Sequence, residues 1–322
     1  MPRVAKAELH VHLEGTAPPA LVREIAARNG LALPDRLFGA DGRFRYSDFI
    51  DFLRTYDLAA SVIRTAQDYR DITYQYLRDC ASEGAIYVEL TASPDHAAIV
   101  GLSDEAHLQG IADGIDDARR ETGIEGRILL SAVRNFGVRQ AIRIASHAAE
   151  RPHPYVVGFS MAGDEENFPA DDFAEPFEIA AAAGLGCTIH AGEWGGPDSV
   201  RAALRLPVSR IDHGVRAIED PALVQELAAR EIVLACCPTS NVVLGVYPSY
   251  EHHPLPRLRA AGVRVTLGSD DPPYFGATIG SEYEICAQRM GLSEDDLRDL
   301  TRTAIKAAFC DDRLKATLQA HV

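Results

Sequence analysis

Eight apolar runs of strand length recur along the chain, and segments with helical periodicity lie between them. The runs cover residues 7–15, 85–94, 126–134, 155–163, 186–193, 209–215, 232–241 and 263–271. Nearly continuous apolar strands are typical of a parallel sheet that is buried on both faces, and eight strand-helix units are the number that closes a (β/α)8 barrel. The pattern therefore predicts an α/β fold of the TIM-barrel type, with an open doubly wound sheet as the alternative.

The connection after the first run, residues 16–84, is much longer than one crossover helix requires, so we expect an insertion there. Within it, Phe49, Phe52, Leu53 and Tyr56 follow helical spacing and form an apolar stripe. Such a helix either packs on the barrel wall or covers the barrel mouth. We predict a helical lid, with Phe49 and Phe52 as candidate substrate contacts.

Composition limits the partners of this barrel. The chain has 32 Lys and Arg against 47 Asp and Glu, a net charge of −15, which argues against the basic surface that nucleic acid requires. No internal repeat or linker divides the sequence, so residues 1–322 are interpreted as one domain. Composition does not indicate an oligomeric state.

The sequence also bears on location. Its longest apolar stretch, residues 179–189, is too short to span a bilayer, and the N-terminus lacks the apolar core of a signal peptide. We therefore expect a cytoplasmic protein without a membrane anchor. The six cysteines form no CxxC pair and are interpreted as reduced, mostly buried thiols.

Polar side chains interrupt the apolar runs at their C-terminal ends. In a closed parallel barrel all of these ends open onto one face, where active sites are assembled from several strands. Seven residues share this position: His10, His12, His190, Glu193, His213, Asp270 and Asp271.

The His-x-His pair of the first run predicts a metal site. Period-2 spacing on a strand directs the imidazoles of His10 and His12 to the barrel interior, where they would be poorly solvated unless something binds them. A divalent metal ion would do so. His190 and Asp270 would complete a set of three nitrogens and one oxygen and leave a position for water, as in catalytic zinc sites.

Other catalytic motifs are absent or poorly formed. Gly184-Leu185-Gly186 precedes a strand, which is the wrong order for a dinucleotide-binding turn. The segment around Ser160 nearly matches a nucleophile elbow, but its last position is Ala162. No phosphate-binding P-loop motif occurs. We therefore set aside dinucleotide binding, a serine esterase and a P-loop enzyme.

Six ordered motifs together resemble one family. They are KAELHVHLEG, MAGDE, HAGE, RIDHGVR, CPTSN and SDDP, each at the end of a predicted barrel strand. Their order and sequence resemble those of the adenosine and adenine deaminases of the amidohydrolase superfamily, over nearly the whole chain. This resemblance implies a (β/α)8 barrel with one catalytic divalent metal ion, usually zinc. A lysine that would bridge two metals is missing at residues 160–164, in agreement with a single ion.

The resemblance also implies roles for the polar residues. Glu193 would be the acid that protonates purine N1, His213 the base beside the water, and Asp271 a contact to N7. The backbone amide of Gly163 would meet the purine ring edge. The metal ligands implied by the motifs are the same four residues that the spacing predicts: His10, His12, His190 and Asp270.

The substrate is less clearly indicated. Glu14 stands where adenosine deaminases usually carry an Asp that reaches the ribose, and Glu there resembles adenine deaminases and some relatives that act on substituted nucleosides. We expect hydrolysis of adenosine or a substituted adenosine to the 6-oxopurine and ammonia. Conversion of adenine to hypoxanthine is the alternative. A noncatalytic purine-binding barrel and a metallohydrolase of another amide or ester are the remaining hypotheses.

Overall fold

A computed structural model describes residues 4–322, and its centre is one sheet of eight parallel strands. The strands follow one another around the sheet in the order of the sequence. They are β1 (Lys6–Glu8), β2 (Ala85–Ala92), β3 (Glu125–Val133), β4 (Val156–Ala162), β5 (Gly186–Ala191), β6 (Arg210–His213), β7 (Val233–Cys236) and β8 (Arg264–Leu267). Each strand lies within or next to one of the eight predicted runs.

The first and last strands meet through the segments that follow them. The backbone N–H of His12 donates to the carbonyl of Asp270 at 3.0 Å, and the N–H of Asp270 donates to the carbonyl of His10 at 3.3 Å. Val11 and Asp270 thereby form a parallel bridge. The sheet is a nearly closed barrel and not an open doubly wound sheet, so the predicted TIM barrel is confirmed.

Helices follow the strands and surround the barrel. The α-helices are α1 (Pro19–Arg28), α2 (Phe49–Ala60), α3 (Ala66–Ser82), α4 (Pro94–Ile99), α5 (Asp104–Thr122), α6 (Val138–Glu150), α7 (Ala174–Ala182), α8 (Gly196–Ala203), α9 (Pro221–Ala229), α10 (Pro238–Val243), α11 (Leu255–Ala260), α12 (Pro272–Phe275), α13 (Ile279–Gln288), α14 (Glu294–Ala307) and α15 (Asp312–Gln319). Short 3₁₀ turns occur at Leu13–Thr16, Asp35–Leu37, Arg134–Phe136, Ala170–Phe173, Val215–Glu219 and Tyr250–His252.

Three helices, α1 to α3, form the predicted insertion between β1 and β2. The side chain of Asp48 caps α2 by accepting the N–H of Asp51. The apolar stripe of α2 faces the protein: Phe52 is buried, and Phe49 packs against Trp194 with ring centroids 5.0 Å apart. Because this stripe lies against the loop that follows β5, α2 covers the carboxyl end of the barrel, as expected of a lid.

Several apolar runs are longer than the strands they contain. The first run was expected to be extended to residue 15, but β1 ends at Glu8 and the chain enters a 3₁₀ turn at Leu13. The extra apolar residues pack in the core as short helices and turns at the barrel mouth, so hydrophobicity alone does not mark the strand end. Among residues 4–322, no helix is both long and apolar enough to cross a membrane. All six cysteines are buried free thiols, as predicted.

Candidate active site

A cavity of about 710 Å³, part of which is open to solvent, lies at the carboxyl end of the barrel under α2. His10 lies just beneath the wall of this cavity and is 1% exposed. Every other residue predicted to serve the site lines the cavity: His12, Glu14, Phe49, Phe52, Gly163, His190, Glu193, His213, Asp270 and Asp271.

The four predicted metal ligands lie close together, and their donor atoms fall into two groups within 4.8 Å: His10, His190 and Asp270 with His213, and His12 with Asp270 and Asp271. Nε2 of His190 lies 3.2 Å from Nε2 of His10 and 3.1 Å from Nε2 of His12. Oδ1 of Asp270 lies 3.3 Å from Nε2 of His10 and 3.3 Å from Nε2 of His12. The backbone pairing between the ends of β1 and β8 holds the first two ligands beside Asp270, whereas His190 reaches the same cluster from β5.

Hydrogen bonds on the far side of two rings fix their tautomers. Nδ1 of His10 lies 3.1 Å from the carbonyl of Ala235, and Nδ1 of His190 lies 3.1 Å from the carbonyl of Met161. A carbonyl only accepts, so both Nδ1 atoms carry the proton and, in the neutral rings, both Nε2 atoms present lone pairs to each other. Two buried lone pairs beside a carboxylate are poorly satisfied unless a proton or a metal ion lies between them. This donor set therefore fits a divalent metal ion.

Protons compete for the same atoms. Burial lowers the pKa of His190 well below its usual value. Burial alone would lower the pKa of His10 as well, but the carboxylates of Asp212 and Asp270 outweigh it and raise that pKa to about 9. A metal ion entering the site must therefore displace a proton from the cluster, and we expect its affinity to depend on pH.

Two site residues hold a strained backbone. His213 and Asp270 have φ values of 63° and 64°, in the left-handed region that residues other than Gly seldom adopt. Such strain is often concentrated at functional sites, where the surrounding structure enforces it. Here it occurs where β6 and β8 give way to the loops at the barrel mouth, and both side chains line the cavity.

Glu193 lies on a loop that another carboxylate organises. The Glu165 side chain accepts hydrogen bonds from the N–H groups of Gly192 at 2.8 Å and Gly195 at 2.7 Å, and from the N–H of Trp194 between them. Glu193 is buried, and its Oε1 has no hydrogen-bond partner among the described residues. Burial, reinforced by the charges of Asp270 and Glu165, raises the pKa of Glu193 well above its usual value. Burial therefore favours the protonated form of Glu193.

Asp271 is a second carboxyl group of the cavity whose surroundings favour the protonated form. Burial and the charge of Asp270 raise its pKa well above the usual range, although the nearby His12 opposes this shift. Its Oδ1 lies over Gly15, where a Cβ atom would be only 1.8 Å away, and it has no hydrogen-bond partner within residues 4–322. Gly15 thus provides the space that this carboxyl group occupies.

Gly163 presents its backbone to the cavity with a φ of 103°. A Cβ there would lie 2.4 Å from Oδ1 of Asn135, so both conformation and space require glycine. Within the described part of the chain, the Gly163 N–H donates to no acceptor. It is therefore free to bind a ligand.

Glu14 is buried on the cavity wall in the ionised form. Its Oε1 accepts from the N–H of Ser93 at 3.0 Å and from the hydroxyl of Tyr69 at 3.3 Å. Burial alone would raise the pKa of Glu14, but the imidazoles of His107 and His96 and the Ser93 N–H outweigh it and lower that pKa. The structure thus holds a negative charge at the position that the sequence singles out for substrate choice.

Some site residues were not assigned roles from the sequence. Glu165 and Asn241 lie in the motifs MAGDE and CPTSN, so a signal existed, but their contacts depend on the folded loops. Asp212 of RIDHGVR lies on β6, with Oδ2 3.5 Å from Nδ1 of His190. Ser93 and His253 belong to no motif identified above and could be found only from the structure.

Comparison with known proteins agrees with this geometry. The model of the family described as adenosine deaminase matches residues 5–322. The chain is 49% identical to an adenine deaminase of Chelativorans sp. (strain BNC1), over 98% of this chain and 97% of that protein. It superimposes on the crystal structure of an adenine deaminase from Arthrobacter aurescens with a TM-score of 0.92 and 31% identity, covering 98% and 97% of the two chains. A zinc-bound amidohydrolase from Burkholderia ambifaria gives a TM-score of 0.89 and 27% identity, covering 99% of this chain and 89% of that one.

The fold, the motifs at the strand ends and these relatives lead to one conclusion. The chain is an enzyme and belongs to the adenosine and adenine deaminase family.

Proposed function

We propose that this enzyme hydrolyses adenine to hypoxanthine and ammonia. The observation that carries the proposal is a pair of buried carboxyl groups with raised pKa values, Glu193 and Asp271, beside the His and Asp cluster. Each has one oxygen without a hydrogen-bond partner within residues 4–322. Two such proton donors match the ring nitrogens of a 6-aminopurine, N1 and N7. The similarity to adenine deaminases supports adenine as the particular purine.

The metal ion is proposed to be a single Zn²⁺ held by His10, His12, His190 and Asp270. Three imidazole nitrogens and one carboxylate are a donor set that zinc accepts, and a related amidohydrolase contains zinc. When bound, the ion would lower the pKa of a water molecule to about 7 and supply hydroxide at neutral pH.

Glu193 is the proposed general acid. Attack of hydroxide on C6 of an aromatic ring is unfavourable unless N1 accepts a proton, and the raised pKa of Glu193 keeps that proton available. Hydroxide forms a bond to C6 while Glu193 gives its proton to N1. The ionised Glu193 would then carry the proton of the new C6 hydroxyl group to the 6-amino group, and the C6–N bond breaks to release ammonia. The 6-oxo group then remains on the ring.

The other residues orient the purine. Asp271, also protonated, would donate to N7, and the free N–H of Gly163 would donate to an acceptor on the opposite ring edge. His213 lies with Nε2 3.6 Å from Oε2 of Glu193 and 3.8 Å from Oδ2 of Asp270, beside the proposed position of the hydroxide. Phe49 and Phe52 would cover the ring from α2.

The sequence alone favoured adenosine or a substituted adenosine as the substrate. The site and the relatives favour adenine instead. Adenine carries an N9–H donor that adenosine lacks, and the ionised Glu14 offers an acceptor on the cavity wall. A ribose would instead have to satisfy this buried charge with a hydroxyl group in a correctly shaped pocket. The relatives support the same choice, because they are adenine deaminases.

A substrate panel tests the proposal. Adenine, adenosine, 2′-deoxyadenosine and 5′-substituted adenosines are each mixed with the purified enzyme, and loss of the 6-amino group is followed by purine absorbance. We expect adenine to have the highest kcat/KM. A higher kcat/KM for any nucleoside would refute adenine as the substrate, and no turnover of any purine would refute the proposed reaction class.

A further inference from the structure

We propose that His253 and Asn241 form a hydrogen-bonded chain that fixes His213 in its Nε2–H tautomer, so that His213 donates a hydrogen bond to the attacking hydroxide. Neither His253 nor Asn241 contacts the substrate cavity. They are therefore positioning residues. The catalytic part of this inference rests on the proposed deaminase function, whereas the tautomer itself does not.

The hydrogen-bonded chain begins at a backbone N–H group, which can only be a donor. The N–H of Leu255 lies 3.3 Å from Nδ1 of His253 and can only donate. His253 Nδ1 must therefore be unprotonated. Burial lowers the pKa of His253 to about 3, so the ring is neutral and its single proton is on Nε2.

The next step orients the amide of Asn241. Nε2 of His253 lies 3.1 Å from Oδ1 of Asn241, which accepts the His253 proton. The reverse amide orientation would place two N–H donors against each other, and a buried donor pair without an acceptor is costly. Asn241 therefore keeps its Nδ2 group directed away from His253.

That Nδ2 group reaches the ring of His213. Nδ2 of Asn241 lies 3.3 Å from Nδ1 of His213, and an amide nitrogen only donates. Nδ1 of His213 is consequently an acceptor, and the proton of the neutral ring is on Nε2. All three side chains are fully or almost fully buried, so bulk water does not compete for these bonds.

The protonated Nε2 of His213 faces acceptors. Its neighbours in the site are Oε2 of Glu193 at 3.6 Å and Oδ2 of Asp270 at 3.8 Å. These distances exceed those of direct hydrogen bonds and leave Nε2–H free for an oxygen placed among the three groups. In this tautomer His213 cannot take a proton from water at Nε2. It stabilises the negative charge of the hydroxide by donation, a different role from that of the base which the family resemblance implies.

Nitrogen NMR on the purified enzyme labelled with ¹⁵N-histidine tests the tautomer directly and without substrate. The His213 signals are identified by their loss in His213→Asn. We expect a protonated Nε2 and an unprotonated Nδ1 in the wild-type protein. A protonated Nδ1, or exchange between the two tautomers, would overturn the proposal. Because this result does not depend on turnover, it remains interpretable even if adenine is not the substrate.

Variants of His253 test the chain. His253→Leu removes the donor to Asn241, and we expect mixed tautomers at His213 and a kcat about 10-fold lower, with KM and metal content unchanged. His253→Gln can still donate to Asn241 and should restore both the wild-type tautomer and most of kcat. In an Asn241→Leu background, His253→Leu should cause no further loss of kcat. A second, equal loss there would show that His253 acts outside the chain and would refute this part of the proposal.

Discussion

Replacing Glu193 by Gln separates proton donation from packing. Glutamine has nearly the same shape, so the buried position, the Glu165 contacts to the flanking N–H groups and the cavity wall should be kept. The amide can still donate a hydrogen bond to N1 but cannot transfer a proton. The structural reason to expect a large effect is that Oε1 of Glu193 has no other partner within residues 4–322.

The magnitude follows from the worth of one positioned acid. General acid catalysis contributes roughly 10²- to 10⁴-fold, so Glu193→Gln should lower kcat by that factor, about 3–5 kcal/mol of transition-state stabilisation. The KM for adenine should change by much less, since the ring contacts of Asp271 and Gly163 remain. Metal content should also remain, because the proposed ligands are untouched.

The assay is steady-state deamination followed by absorbance, together with elemental analysis of each variant. Glu175→Gln is the matched control, since Glu175 is exposed on α7 and should leave kcat unchanged. A near-normal kcat in Glu193→Gln would refute Glu193 as the acid. Loss of metal from this variant would instead show that Glu193 is a ligand, and the assignment of Asp270 as the only carboxylate ligand would be wrong.

Three further predictions test the remaining parts of the site. His12→Ala should lower the bound metal well below the one ion per chain expected of the wild type. His213→Ala should keep nearly all the metal but lose activity, so elemental analysis of both variants distinguishes a metal ligand from a neighbouring residue. Glu14→Asp should raise kcat/KM for adenosine relative to adenine by about 10-fold, on the scale of one methylene in a pocket, and equal effects on all purines would separate Glu14 from substrate choice. Zinc affinity, measured by titration of metal-free enzyme, should rise roughly tenfold per pH unit from neutral pH to about 9, because the raised pKa of His10 means that one proton must leave below that pH; a flat profile would contradict this competition.

Sequence patterns were sufficient for the barrel and for the residues at its mouth. Each strand of a parallel barrel is buried on both faces, so it appears as an apolar run, and a polar residue at its end is conspicuous. His190 and Asp270 are examples, since both follow strand residues that are fully or almost fully buried. The same reasoning misjudged where the strands end, because the apolar residues Leu9, Val11 and Leu13 continue the alternation after β1 has ended at Glu8.

The supporting contacts could not be read from the sequence because they join residues far apart in the chain and have no periodicity. Glu165 binds the loop of Glu193 from 27 residues away, as its bond to Gly192 shows. Asp212 is an internal strand residue whose carboxylate reaches the imidazole of His190 from the neighbouring strand. Such bonds depend on loop conformation and strand register, which the hydrophobic pattern does not encode.

Long-range contacts of this kind also explain why two neighbouring carboxyl groups of the site have pKa values shifted in opposite directions. Asp270 and Asp271 are adjacent and both buried, yet the imidazoles of His10 and His12 lower the pKa of Asp270, whereas burial and the charge of Asp270 raise that of Asp271. Adjacent side chains thus differ because Asp270 accepts hydrogen bonds from His10 and His12, whereas Oδ1 of Asp271 has no hydrogen-bond partner within residues 4–322. One carboxylate is thereby available as the proposed metal ligand, and its neighbour, with its raised pKa, is the proposed donor to a purine nitrogen. The two consecutive aspartates differ because the barrel closes between the segments that follow β8 and β1. That closure brings His10 and His12 beside Asp270.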